Sequence, residues 1–213
     1  MFEEMNEKLS SFGVVPVVVL NDAKDAEPLA KALCAGGLKC AEVTFRTAAA
    51  EESIRIMSEK FPDMLVGAGT VLTKENVDRA VGAGAKFIIS PGFDPEIVDY
   101  CISKNIPVYP GTLTPSEVAQ GVKRGLKVLK FFPAEQGGGL ARIKAMCAAY
   151  VGIKFMPTGG ISTKNLREYL ESPCIFGCGG SWMVKANLIE NGEFDKITQL
   201  CKEALEVVHE VRG

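Results

Sequence analysis

The chain has 213 residues, 47% hydrophobic and 23% charged, with a formal net charge of -2 and a sequence pI near 5.6. This length can bury a sizeable core without staples, the composition excludes disorder and a membrane-spanning protein, and the lack of a clustered basic excess excludes nucleic acid as a partner. The acidic, polar opening MFEEMNEKLSSFG is not patterned as a secretory signal, so a cytoplasmic protein of one domain over residues 1–213 is expected.

In chain order, residues 1–11 read as a helix, followed by a β-rich apolar run over 14–20 and a segment of 3.6-residue periodicity over 25–34. The alternation then repeats, with strand and helix over 40–45 and 49–61, 65–69 and 74–83, 87–90 and 95–104, and 107–110 and 115–124. Runs over 128–131, 154–157 and 175–179 complete eight candidate strands, and helices are expected over 164–170 and 194–211. Gly36, Gly37, Gly84 and Gly125 fit helix C-termini, while Thr73, Asp94, Thr114 and Thr163 fit N-caps. Strict β-then-α order with near-continuously apolar strands implies a parallel sheet covered by helices, either open and doubly wound or closed as a (β/α)8 TIM barrel. The count of eight favours the barrel, with the extra N-terminal helix closing its bottom. A barrel commonly takes about 250 residues, so the loops here must be short.

The seven cysteines have no CxxC pair and match no zinc spacing, so they read as reduced core thiols. The only histidine, His209, falls in the last amphipathic segment, which rules out a histidine triad or a multi-histidine metal site, and no metal is expected.

The strand ends carry more. In Ala41-Glu42-Val43-Thr44-Phe45-Arg46 the two-residue period puts Glu42, Thr44 and Arg46 on one face, inward if the apolar face meets helices. Ionised groups are rarely buried without partners, so Glu42 and Arg46 form either a structural ion pair or a functional constellation. Lys130 stands in the middle of the apolar run Val128-Leu129-Lys130-Phe131-Phe132. Burial strips an ammonium of hydration and favours the neutral amine, the form that attacks carbonyls. The alternative is a lysine snorkelling from an edge strand to water. Glycines and hydroxyls cluster in Gly67-Ala68-Gly69-Thr70, Thr158-Gly159-Gly160-Ile161-Ser162 and Gly177-Cys178-Gly179-Gly180-Ser181. Tight glycine turns late in a barrel expose amides that cradle phosphate. A dinucleotide fingerprint fails, because Leu72 stands where its third glycine belongs.

At these residues the sequence closely resembles the 2-keto-3-deoxy-6-phosphogluconate (KDPG) and 4-hydroxy-2-oxoglutarate (KHG) aldolase family. The resemblance runs nearly end to end and is carried by Val14-Val15-Pro16-Val17, Glu42-Val43-Thr44-Phe45-Arg46-Thr47, Val66-Gly67-Ala68-Gly69-Thr70-Val71-Leu72, Ile89-Ser90-Pro91-Gly92, Lys130-Phe131-Phe132-Pro133-Ala134-Glu135, Pro157-Thr158-Gly159-Gly160-Ile161 and Gly179-Gly180-Ser181-Trp182. It implies a trimeric (β/α)8 class I aldolase that needs no cofactor or metal and acts on a phosphorylated keto acid to release pyruvate. By the same resemblance Lys130 is the Schiff-base lysine and Glu42 the proton shuttle. Arg46 and Thr70 hold the keto-acid carboxylate, and Pro91 and Phe132 line the pyruvyl pocket. Gly159, Gly160, Gly180 and Ser181 form the phosphate end, with Thr158 beside the substrate. Loops 111–114 and 136–139 depart from the family pattern, and the sugar preferred among gluconate, galactonate and hydroxy-oxoglutarate substrates is what they leave open. Outside this family, a phosphate-binding barrel isomerase or decarboxylase, or a metabolite-binding barrel without catalysis, would also use these features.

Overall fold

The computed structural model describes residues 1–213. Helix α1 (Glu3–Phe12) ends at Gly13, whose φ of 66° and N–H hydrogen bond to the Ser10 carbonyl turn the chain into β1 (Val14–Val18). There follow α2 (Ala26–Ala35), β2 (Cys40–Thr44), α3 (Ala50–Lys60), β3 (Leu65–Gly69), α4 (Lys74–Gly82), β4 (Ile88–Ile89), α5 (Pro95–Ser103) and β5 (Val108–Tyr109). The second half holds β6 (Gly111–Thr112), α6 (Pro115–Lys123), β7 (Val128–Phe131), α7 (Gly139–Ala149), β8 (Lys154–Pro157), α8 (Leu166–Leu170), β9 (Cys178–Gly180), α9 (Ala186–Glu190) and α10 (Phe194–Arg212). No helix is long and apolar enough to cross a membrane.

All strand pairs are parallel, and they form two sheets, β5-β4-β3-β2-β1-β9 and β6-β7-β8. Eight strands in one closed ring are expected from the sequence, whereas the hydrogen-bonded ladders divide the parallel strands between these two sheets. Pro110, which has no amide hydrogen, interrupts the fifth run and leaves β5 in one sheet and β6 in the other. At the second seam the sheets meet only through isolated bridges, Phe155 to Ile175 and Thr158 to Gly179. An inner cluster nonetheless draws Val15, Cys40, Phe87, Ile89, Tyr109, Val128, Met156 and Phe176 from both sheets. Leu9 of α1 joins it, and the Tyr109 hydroxyl donates to Asn6 Oδ1 at 2.8 Å, so α1 closes one end as expected. The larger apolar cluster lies between strands and helices, with β-strand residues such as Val18, Val43, Leu129 and Phe155 against Leu33, Ile54, Ile143 and Leu166.

Three expected caps form: Thr73, Asp94 and Thr114 each accept from a backbone amide in the first turn, and Thr114 completes a capping box with Glu117. Thr163 does not cap. Asn165 Oδ1 accepts from the Ser162 amide at 2.9 Å, this local turn occupies the segment, and α8 begins only at Leu166. The expected strand over 175–179 likewise starts late, at Cys178.

Candidate active site

Lys130 lies on β7, flanked in register by Gly111 on β6 and Met156 on β8. Glu42 lies on β2, opposite Val17 of β1 and Gly67 of β3. The two side chains meet across the strands: Lys130 Nζ donates to Glu42 Oε1 at 3.2 Å, with the residues only 5% and 1% exposed. The snorkelling alternative for Lys130 therefore does not hold. Glu42 Oε2 is buried with no partner, so one carboxylate oxygen holds the ammonium and the other is uncommitted. The Lys130 ammonium also sits 5.3 Å from the Phe132 ring centroid, within cation-π range.

The neighbouring glycine is dictated by this pair. A Cβ at Gly69 would stand 2.1 Å from Glu42 Oε1, and only a residue without a side chain leaves the carboxylate its place. Thr44, on the same face, is fully buried and donates to the Val18 carbonyl at 2.9 Å, a bond between strands.

Strand alternation puts Arg46 on the face of Glu42, either as its ion-pair partner or as part of a functional constellation. The strand ends at Thr44, so Arg46 leaves it and stands exposed, its Nε donating to Thr70 Oγ1 at 3.2 Å. Thr70 holds a left-handed φ of 55°, which carries the chain from β3 toward α4. Lys130, not Arg46, neutralises Glu42, and the guanidinium has no carboxylate partner.

A cavity of about 570 Å³ collects Arg46, Phe132, Thr158, Gly159, Gly160, Gly180 and Ser181. The turn after β8 puts Gly159 and Gly160 at φ of 100° and 81°. The backbone amides of Gly160, Ile161 and Ser181 donate to no protein acceptor, and the buried Thr158 hydroxyl has no partner. Free amides beside an unpaired guanidinium suit an anion. The turn is braced from behind: the Ala134 and Glu135 amides donate to the Thr158 and Gly159 carbonyls at 2.8 and 3.1 Å. Tyr169 in turn hydrogen-bonds Glu135 Oε1. Burial first, then that carboxylate, push the Tyr169 phenol well above its ordinary value and keep it a donor.

Pro91 is not brought to this cavity. It lines a separate recess with Leu72, Phe93 and Ile97, and its carbonyl backs onto Gly111, where a Cβ would approach within 2.1 Å. Loops 111–114 and 136–139 do not line the cavity either. Its remaining wall comes from Ile161 and Gly179 of the glycine clusters, Val17 and Val19 at the β1 end, and Val184 to Asn187 after β9, a segment that no sequence motif marks. Lys185 and Asn187 follow Ser181 closely, and proximity to a glycine cluster was the one signal that could have marked them.

Parallel strands sheathed in helices, with a buried amine and carboxylate in contact near an anion-receptive cavity, define a carbon-carbon lyase of the aldolase class. The family model described as KDPG and KHG aldolase matches residues 5–200, and the chain belongs to that family. It is 45% identical over 202 residues to the 2-dehydro-3-deoxy-phosphogluconate aldolase of Treponema pallidum (strain Nichols), covering 95% of this chain and 96% of that one. Among solved structures it is similar to the KDPG aldolase of Legionella pneumophila with pyruvate captured as a covalent carbinolamine intermediate, with a TM-score of 0.87, 42% identity and coverage of 90% and 93%. It is also similar to the aldolase of Zymomonas mobilis ZM4 with 3-phosphoglycerate, with a TM-score of 0.89, 40% identity and coverage of 96% and 95%.

Proposed function

We propose that this chain is a class I aldolase that cleaves 2-keto-3-deoxy-6-phosphogluconate to pyruvate and D-glyceraldehyde 3-phosphate, with 4-hydroxy-2-oxoglutarate and the galactonate epimer as related substrates. The observation that carries the reading is the buried contact between Lys130 Nζ and Glu42 Oε1. Glu42 accepts the lysine proton, and the neutral amine adds to the C2 carbonyl to give a carbinolamine. Loss of water leaves a protonated imine. A carboxylate then takes the C4 hydroxyl proton, the C3–C4 bond breaks, and its electron pair passes into the imine as an enamine while the aldehyde departs. Protonation at C3 and hydrolysis release pyruvate and restore Lys130. The uncommitted Glu42 Oε2 is the natural carrier for this proton traffic, generally worth about 10² to 10⁴ in rate.

In this reading Arg46 and Thr70 hold the keto-acid carboxylate, and Phe132 and Pro91 bound the pyruvyl end. Pro91 acts there through the backbone it packs against Gly111. Gly159, Gly160, Gly180 and Ser181 receive the phosphate, and Thr158 lies beside the substrate. The two sheets work as one closed (β/α)8 barrel and one domain, supported by the inner cluster common to both, and the enzyme is a cytoplasmic homotrimer. Borohydride reduction with pyruvate, followed by peptide mapping, tests the chemistry. A pyruvyl adduct on Lys130 that is absent in Lys130→Met is expected, whereas folded protein without an adduct would move the assignment to an isomerase or decarboxylase that never forms an imine.

A further inference from the structure

The lining of the 570 Å³ cavity carries two cations, Arg46 and Lys185, and no carboxylate. Neither has an ion-pair partner in the protein. They approach from opposite sides of β1, because β2 and β9 flank that strand. Arg46 is tied down by Thr70, whereas Lys185 has only its backbone fixed. The Val184 amide donates to the Ser181 carbonyl at 3.1 Å, and the Lys185 carbonyl accepts from the Leu188 and Ile189 amides at 2.9 and 3.3 Å. Met183 and Val184 are buried beneath it. The stem of Lys185 thus leaves a hydrogen-bonded turn four residues past Ser181, and the residue is exposed and lines the cavity.

Uncharged donors already face this end: the orphan hydroxyl of Thr158 and the free amides of Gly160, Ile161 and Ser181. Such donors accept a phosphate or a carboxylate with little preference for charge. A full positive charge adds that preference, because its attraction to a dianion is about twice that to a monoanion at the same distance. We propose that Lys185 is a specificity-determining residue whose ammonium contacts the terminal anionic group of the substrate and favours a phosphate dianion over a hydroxyl or carboxylate. This rests on the aldolase reading above.

The experiment is the ratio of kcat/KM for 2-keto-3-deoxy-6-phosphogluconate to that for 2-keto-3-deoxygluconate, measured for the full chain and three variants at low salt. Lys185→Gln is expected to lower the ratio about fivefold, the upper range for a solvent-exposed ion pair, with the loss in KM and not in kcat for the phosphorylated substrate. Lys185→Glu should lower it by about 25-fold, since reversal replaces an attraction by a repulsion of like size. Lys185→Arg should restore it. A ratio unchanged in both Lys185→Gln and Lys185→Glu overturns the assignment and leaves the aldolase reading intact. A wild-type enzyme that turns over both substrates with no preference for phosphate overturns the phosphate end of that reading and this inference with it.

Discussion

At the residue scale, the two oxygens of Glu42 differ in their surroundings, and the proposed mechanism gives them different work. Oε1 fixes the Lys130 ammonium, and Oε2 has no protein partner. Glu42→Gln keeps the volume and a hydrogen-bonding end but cannot carry the proton, so kcat should fall by about 10² to 10⁴, the range for general acid-base catalysis. Pyruvate should still form a reducible imine, only more slowly. Stopped-flow turnover and borohydride trapping read the two effects separately, and an unaltered kcat would remove Glu42 from the mechanism. Lys130 and Glu42 were legible because each is an ionisable group inside an apolar run. Arg46 was legible as a residue but not in its placement, since strand alternation gives a face and not the point where a strand ends. Lys185 was silent, as exposed lysines are the commonest kind and its meaning comes only from the cavity beside it.

At the element scale, β3 shapes β2. Gly69 gives up its side chain so that the Glu42 carboxylate can occupy the space, and Gly69→Ala must displace that carboxylate. The expected result is a loss of kcat of about 10²-fold, with the peptide map and circular dichroism of a folded protein; full activity would mean that Glu42 tolerates a second position. Strands β3, β7 and β8 match the limits of their β-rich apolar runs in the sequence. Helices α7 and α9 were not read. The first is masked by Gln136-Gly137-Gly138-Gly139, whose glycines signal a loop although Gly138 takes a left-handed φ of 103° as the N-cap. The second is a single short turn of the chain, too brief for periodicity to register.

At the scale of the whole molecule, the thiols set an alkaline limit. Cys40, Cys101, Cys178 and Cys201 are buried, and desolvation raises all four, with Cys101, Cys178 and Cys201 pushed up to about 12. An unfolded chain ionises its thiols near about 8.5, so above that pH the unfolded state binds fewer protons than the native one and stability falls as pH rises toward the folded values. One unit past the unfolded pKa, each thiol removes about 1.4 kcal/mol. Urea midpoints in the presence of reductant should therefore drop clearly between neutral pH and about 9.5, and a flat profile would show that these thiols reach water in the native state. The architecture holds one last consequence. Glu42 belongs to the six-stranded sheet and Lys130 to the three-stranded one, which are linked at Pro110 by the chain and by the Lys130 amide donating to the Pro110 carbonyl at 3.0 Å, and at the other seam by isolated bridges. The 3.2 Å contact is thus a strut spanning two plates as well as a pair of reagents. In the proposed mechanism each turnover exchanges that strut for a covalent bond to substrate, while the inner cluster common to both plates keeps them together.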